Sequence, residues 1–120
     1  MAHNFRELEV WKRAMIIAKQ VYTVTKHFPT EEKFGLTSQV QRAAISIASN
    51  IAEGAGRGTS KDFVHFLTIA LGSAFEVETQ LLLAKELNYI EEDRIVNIIE
   101  QLHSIQPQLN VLIKKYTPEQ

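Results

Sequence analysis

Between Gln39 and Gln80 the chain twice repeats one arrangement, a narrow polar stripe on an otherwise apolar helix. At roughly 100° per residue, Gln39, Arg42, Ser46, Ser49, Asn50 and Glu53 fall within a stripe about 100° wide. Val40, Ala43, Ala44, Ile45, Ile47, Ala48, Ile51 and Ala52 fill the remaining arc, which only Gln41 interrupts. A helix this apolar must be covered on more than one side, by helices of its own chain and by another subunit. The next helix carries a matching stripe of Asp62, His65, Gly72, Ser73, Glu76 and Gln80, broken by Ile69. Antiparallel packing about Arg57 places Arg42 opposite Gly72 to Glu76, Asn50 near His65, and Gln39 near Gln80. The pattern thus predicts a polar seam of Gln39, Arg42, Asn50, Glu53, His65, Glu76 and Gln80. Arg42 and Glu76 are expected to form its buried ion pair, because a guanidinium bridges a carboxylate with two hydrogen bonds. Such a seam fixes helix register. Its functional alternative is a small polar site between helices.

The flanking segments complete four helices, over about 5–27, 36–54, 60–87 and 91–115. In the first, Phe5, Leu8, Trp11, Met15, Ala18, Tyr22 and Thr25 follow a 3-4 spacing, with Ala14, Val21 and Phe28 beside them, and form the expected apolar face. Lys12, Lys19 and Lys26 form a line on the opposite side, read either as a solvated face or as a basic ridge for phosphate. Pro29 ends this helix. Gly54 is expected to end the second in a left-handed conformation. The turn that follows has the pattern G-x-G-x-G but lacks the strand or Gly-Lys-Ser/Thr ending of phosphate-binding loops, so it reads as a helix–helix turn. Thr59 or Ser60 caps the third helix, and Asn88 terminates it. Pro107 should kink the fourth, and the tail Thr117–Gln120 should fray. No segment alternates with period two. The fold class is all-α, an antiparallel up-down-up-down four-helix bundle forming one domain over residues 1–120.

Composition narrows the function. The 120 residues contain no cysteine, which excludes disulfides and thiolate metal sites. No apolar run approaches the length needed to cross a bilayer and no apolar signal region is read at Met1–Glu7, so a cytoplasmic location without membrane contact is expected. Net charge is −1, from 13 basic and 14 acidic residues, without the basic excess typical of nucleic-acid binders. Of His3, His27, His65 and His103, only His103 completes a Glu-x-x-His pattern, with Glu100, where a di-iron bundle needs two, and no two of the histidines lie within one turn of each other. No serine has a nucleophile-elbow context. The expectation is a non-enzyme with no catalytic residues, metal or cofactor.

The run from Arg42 to Gly54, Arg-Ala-Ala-Ile-Ser-Ile-Ala-Ser-Asn-Ile-Ala-Glu-Gly, followed by Gly56-Arg57, resembles the signature of the 23S rRNA intervening-sequence proteins. These are also called the four-helix bundle protein family. Phe63, Phe66-Leu67, Ala70, Gly72-Ser73 and Glu76 continue the likeness, as do Phe5-Arg6-Glu7-Leu8 with Val10-Trp11, and Leu112-Ile113. The resemblance implies a small four-helix bundle that assembles into a ring-like homopentamer. It also implies kinship with the accessory variability proteins of diversity-generating retroelements, which bind nucleic acid and a reverse transcriptase through a basic surface. The expected function is a non-catalytic homo-oligomeric adaptor whose partners are itself and RNA or a nucleic-acid-handling protein. The alternative is direct RNA binding through Lys12, Lys19 and Lys26, with Arg57.

Overall fold

A computed structural model describes residues 2–118. Four helices account for most of it: α1 (Glu9–Val24), α2 (Leu36–Gly56), α3 (Ser60–Glu86) and α4 (Glu92–Tyr116). Each packs against its sequence neighbours, and α4 closes back on α1, so the order around the bundle is α1, α2, α3, α4. The all-α bundle expected from the pattern is the observed fold. Its core is built from Ile17, Ile47, Ile51, Phe63, Leu67, Leu81, Ile95, Leu102 and Leu109, all essentially sealed from solvent.

The first helix is shorter than its periodicity suggests. Leu8 is extended, so Phe5–Glu7 forms a separate 3₁₀ turn, capped by the Asn4 side chain accepting from the Arg6 N–H at 3.2 Å. A second 3₁₀ turn, Thr25–His27, follows α1. The buried face also differs. Val10, Ala14, Ile17, Val21 and Val24 point inward, whereas Met15 and Tyr22 are 46% and 44% exposed. α1 carries two adjacent apolar stripes, and the narrower β-branched and small set is the one that fits between α2 and α4. Gln41, the one polar residue in the apolar arc of α2, donates to Thr25 Oγ1 at 3.0 Å. The buried Thr25 hydroxyl in turn donates to the Tyr22 carbonyl at 3.2 Å.

α2 and α3 form the most extensive helix pair. Gly54 does not end α2 in a left-handed turn, contrary to expectation. The helix runs on to Gly56, and Arg57 is extended. Gly54 is needed for space: a Cβ there would lie 2.8 Å from Phe66 Cβ and 3.3 Å from the Phe63 carbonyl oxygen. Thr59 caps α3 as expected, its hydroxyl accepting from the Asp62 N–H at 3.1 Å. Asn88 has φ 60° and ends α3 as expected, with the Tyr89 N–H returning to the Ala84 carbonyl. By length and by a mean hydropathy of 1.3, α3 does reach the range of a membrane-spanning helix. Phe63, Leu67, Ala74, Val77 and Leu81 on that helix face the bundle core. Pro107 lies inside a continuous α4, where it leaves the His103 carbonyl without its usual donor. Of the tail, Glu119 and Gln120 lie outside the described residues.

Each end of the bundle is tied across elements. At one, the His3 N–H donates to the Ala55 carbonyl at 2.8 Å, and the His3 ring packs on Phe63 and Tyr116. At the other, the Glu32 carboxylate accepts from the Leu36 N–H at 2.9 Å and from the Tyr89 hydroxyl at 2.8 Å. The backbone donor first, then the tyrosine, holds the Glu32 carboxyl below its ordinary value, and the same bond pushes Tyr89 up.

Two outcomes follow from these contacts. Gly54→Ala should lower stability by about 1–3 kcal/mol in urea denaturation, because the packed interface must open. Helix propensity alone would stabilise it by about 1 kcal/mol. Gly56→Ala, where an added Cβ meets nothing within 4 Å, should be neutral or stabilising. Equal effects at both positions would remove the close-contact explanation. The Glu32 carboxyl is depressed in the fold, so its contribution is present above the ordinary value of 4.5 and is lost as pH falls through the lowered one. Glu32→Gln should therefore be less stable than wild type at neutral pH, with the gap closing below that value. A gap that persists unchanged into acid would contradict the assignment.

Candidate functional site

Of the predicted seam residues, Gln39, Arg42, Glu53, His65 and Glu76 are exposed along the outer edge of α2 and α3, whereas Asn50 is half-buried and Gln80 buried. Small residues bring the two backbones together: Ser73 Oγ donates to Ser46 Oγ at 2.9 Å across the interface. Asn50 Nδ2 donates to Ser46 Oγ at 2.9 Å and to the Ser46 carbonyl at 2.8 Å. It does not turn towards His65, which is exposed and edge-on to Phe66. Gln80 is buried, and its Nε2 donates to Glu76 Oε2 at 3.3 Å. Gln39 is exposed and makes no side-chain bond to it. Glu53 pairs with Arg57 at 3.2 Å on the surface.

The buried Arg42–Glu76 ion pair does not form. Both residues are exposed, and no approach within 4 Å joins them. They line an open cleft of about 310 Å³ with Gln39, Ala43 and Ser46. The physical reason is the cost of removing two charges from water, which close packing of alanine, serine and glycine avoids. The two polar stripes therefore flank the apolar contact. What remains between the helices is a short relay of neutral groups, Asn50–Ser46–Ser73.

The lysine line on α1 is exposed throughout, but it is not one surface. Lys12 pairs with Glu9 at 3.6 Å. Lys19 borders a cleft of about 240 Å³ with Gln20, Thr23, Arg94 and Asn97. Lys26 lies in the 3₁₀ turn beyond the helix. Arg57 belongs to the α2–α3 turn, where its guanidinium sits 5.0 Å from the Phe66 ring centroid. The structure thus brings Lys12 and Arg57 towards one end of the bundle and leaves Lys26 at the other.

One polar cluster was not evident from the pattern. Glu78 on α3 accepts from His103 Nε2 and from Gln106 Nε2 on α4, both at 2.8 Å. Burial alone would raise its carboxyl. The Gln106 bond, the His103 bond and the histidine's charge outweigh that, so the group titrates below its ordinary value. The signal present in the sequence was Glu78 itself, a carboxylate outside the polar stripe of the apolar third helix. The groups with displaced titration, Glu32, Glu78 and Tyr89, all move away from neutral pH, the reverse of what proton transfer needs. Among the described residues no group of three or more histidine, aspartate or glutamate side chains could hold a metal ion.

A family model described as "23S rRNA-intervening sequence protein" matches residues 6–111. Among solved structures, the chain is similar to a crystal structure at 1.70 Å from Bacteroides thetaiotaomicron VPI-5482, described as a protein with unknown function from the S23 ribosomal protein family. The two share 27% identity with a TM-score of 0.80, over 88% of this chain and 98% of that one. No curated protein matches.

If Arg42 and Glu76 do not interact, Arg42→Ala should change stability by less than about 0.5 kcal/mol, while Glu76→Ala also removes the acceptor of the buried Gln80 amide and should cost about 1 kcal/mol. The double variant should show coupling within about 0.3 kcal/mol. A coupling above about 1 kcal/mol in urea denaturation would restore the ion pair.

Proposed function

Because the chain belongs to the 23S rRNA-intervening sequence protein family, we propose that it acts as a non-catalytic, ring-forming homo-oligomer that presents its outer surface to a partner. The observation that carries this reading is a pair of apolar edges on opposite sides of the bundle. Gln41 marks the flank of α2 that faces α1. One turn on from it, Ile45 is 45% exposed, and across from it Tyr22 and Met15 are exposed to a similar degree. Glu78 marks the flank of α3 that faces α4. On that same flank Phe75 is 50% and Leu82 42% exposed, with Val96 of α4 at 43% beside them. The order α1, α2, α3, α4 around the bundle sets these edges opposite each other.

Two different apolar edges on opposite sides suit a heterologous contact, in which one edge of each copy meets the other edge of the next. Such contacts close into a ring when the rotation allows. Five copies is the number that the family resemblance implies. The polar α2–α3 edge and the α1–α4 edge stay open to a partner. The displaced carboxylates and tyrosine support the non-catalytic part, since none is tuned towards neutral pH.

Light scattering should give a mass about five times the 13.7 kDa chain. Ile45→Asp and Phe75→Asp should each give folded monomers by circular dichroism. Mixed in equal amounts they should give a dimer, because the intact edge of one meets the intact edge of the other. A monomeric wild type would end the reading. A mixture that stays monomeric would end its heterologous form.

A further inference from the structure

We propose that the cleft between α1 and α4 binds a medium-chain aliphatic carboxylic acid, with Arg13 holding its carboxylate. The cleft has a volume of about 500 Å³, within the range of about 300–1,000 Å³ usual for ligand sites. It opens where the bundle is least tightly closed, since α1 with α4 is the least extensive of the contacts between neighbouring helices. Leu8 and Val10 form the α1 wall, and Pro107, Val111 and Leu112 form the α4 wall. Val111 is 65% exposed, more than any other large aliphatic side chain among the described residues. The α1–α4 face is neither of the apolar edges assigned to ring contacts, so the inference goes beyond that assembly and does not depend on it.

Arg13 sets the chemistry. It is half-buried, and its Nη1 donates to Gln101 Oε1 at 2.7 Å. Its Nε is buried without a hydrogen-bond partner. No carboxylate of the described residues lies within 4 Å of the guanidinium. A cation held against apolar walls without a counter-ion is costly. A carboxylate entering the cleft supplies that counter-ion, and the planar guanidinium can give it two parallel N–H bonds. Glu9 also borders the cleft, but its side chain is 77% exposed and is engaged by Lys12 at 3.6 Å. Gln108, the other polar side chain of the lining, gives its Nε2 to Ser104 Oγ.

The helices run antiparallel, so Arg13 stands at the Pro107 end of the cleft and Leu8 with Leu112 at the other. A ligand therefore lies with its head at Arg13 and its chain along Leu8, Val111 and Leu112. The α4 wall from Pro107 to Leu112 rises about 7.5 Å, which suits a chain of about eight carbons. One cation suits a monoanion, whereas a phosphate would lack donors for its further oxygens. An extended peptide would bury backbone N–H and C=O groups against walls that offer them few partners. A saturated chain buries no such groups.

Isothermal titration calorimetry with sodium octanoate tests this, with hexanoate, 1-octanol and octylamine as comparisons. Octanoate should bind saturably, and more tightly than hexanoate by about five- to fifteenfold, the upper figure corresponding to burial of both added methylenes. Arg13→Gln should weaken octanoate by at least about tenfold and leave 1-octanol within about twofold, because the charge-assisted bonds act on the anion alone. Arg13→Lys should recover part of the loss. Val111→Asp, at an exposed position, should abolish octanoate binding in a protein with the circular dichroism of wild type. The Ile45→Asp variant should bind octanoate as wild type does, so a failure of ring assembly and a failure of this site are read separately. Absence of saturable binding, an Arg13→Gln variant that binds octanoate like wild type, or equal affinity for octanoate and octylamine would overturn the proposal. So would preference for a synthetic amphipathic helix carrying leucine and glutamate, which would assign the cleft to a helical protein partner. A light-scattering mass that falls as octanoate is added would overturn it too, and assign the cleft to a contact between copies.

Discussion

The close approach of α2 and α3 is the constraint on which the rest of the bundle depends. Gly54 against Phe66, and the hydroxyl of Ser46 against that of Ser73, leave no room for longer side chains at the contact. Arg42, Glu53, His65 and Glu76 are therefore displaced to the outer edge, where water solvates them. The alanines of α2 and α3 become the interface. A buried ion pair in their place would have needed enough compensation to offset the desolvation of both charges.

With that pair fixed, the remaining surfaces follow. α1 and α4 pack on the other side of α2 and α3 and bury only the inner of their available apolar stripes. Half of the exposed large apolar residues among those described gather at two edges, Met15, Tyr22 and Ile45 at one and Phe75, Leu82 and Val96 at the other. The polar stripe of α2 and α3 lies on a third edge. The bundle thus carries edges of distinct character, two apolar and one polar.

The ends are specialised by the same topology. In an up-down-up-down bundle, the N-terminus, the middle turn and the last helical turn share one end, and the two remaining connections share the other. Acidic residues suit the first turn of α4 and lysines its last, where the helix dipole favours each. Both ends are also tied by side chains from distant positions, His3 at one and the Glu32–Tyr89 bond at the other.

Much of the fold was legible in the residues. The 3.6-residue periodicity, Thr59 before Ser60, Asn88 after the third helix and the absence of alternation were enough for four helices and their order. Each is a local property of a few neighbouring residues. What stayed hidden depends on what lies across from a helix. Periodicity gives angles around one axis, but not which of two adjacent stripes on α1 meets the core. It placed Arg42 and Glu76 on matching stripes without deciding whether those stripes face or flank each other. It read Gly54 as a helix end, because the close approach of Phe66 comes from a residue twelve positions later. The Glu78–His103 pair and the cleft that Arg13 shares with Pro107 and Val111 belong to the same class. Short-range patterning in the sequence determined the helices. Packing and topology decided which of their charges and apolar faces come together, because those distances exist only once the chain has folded.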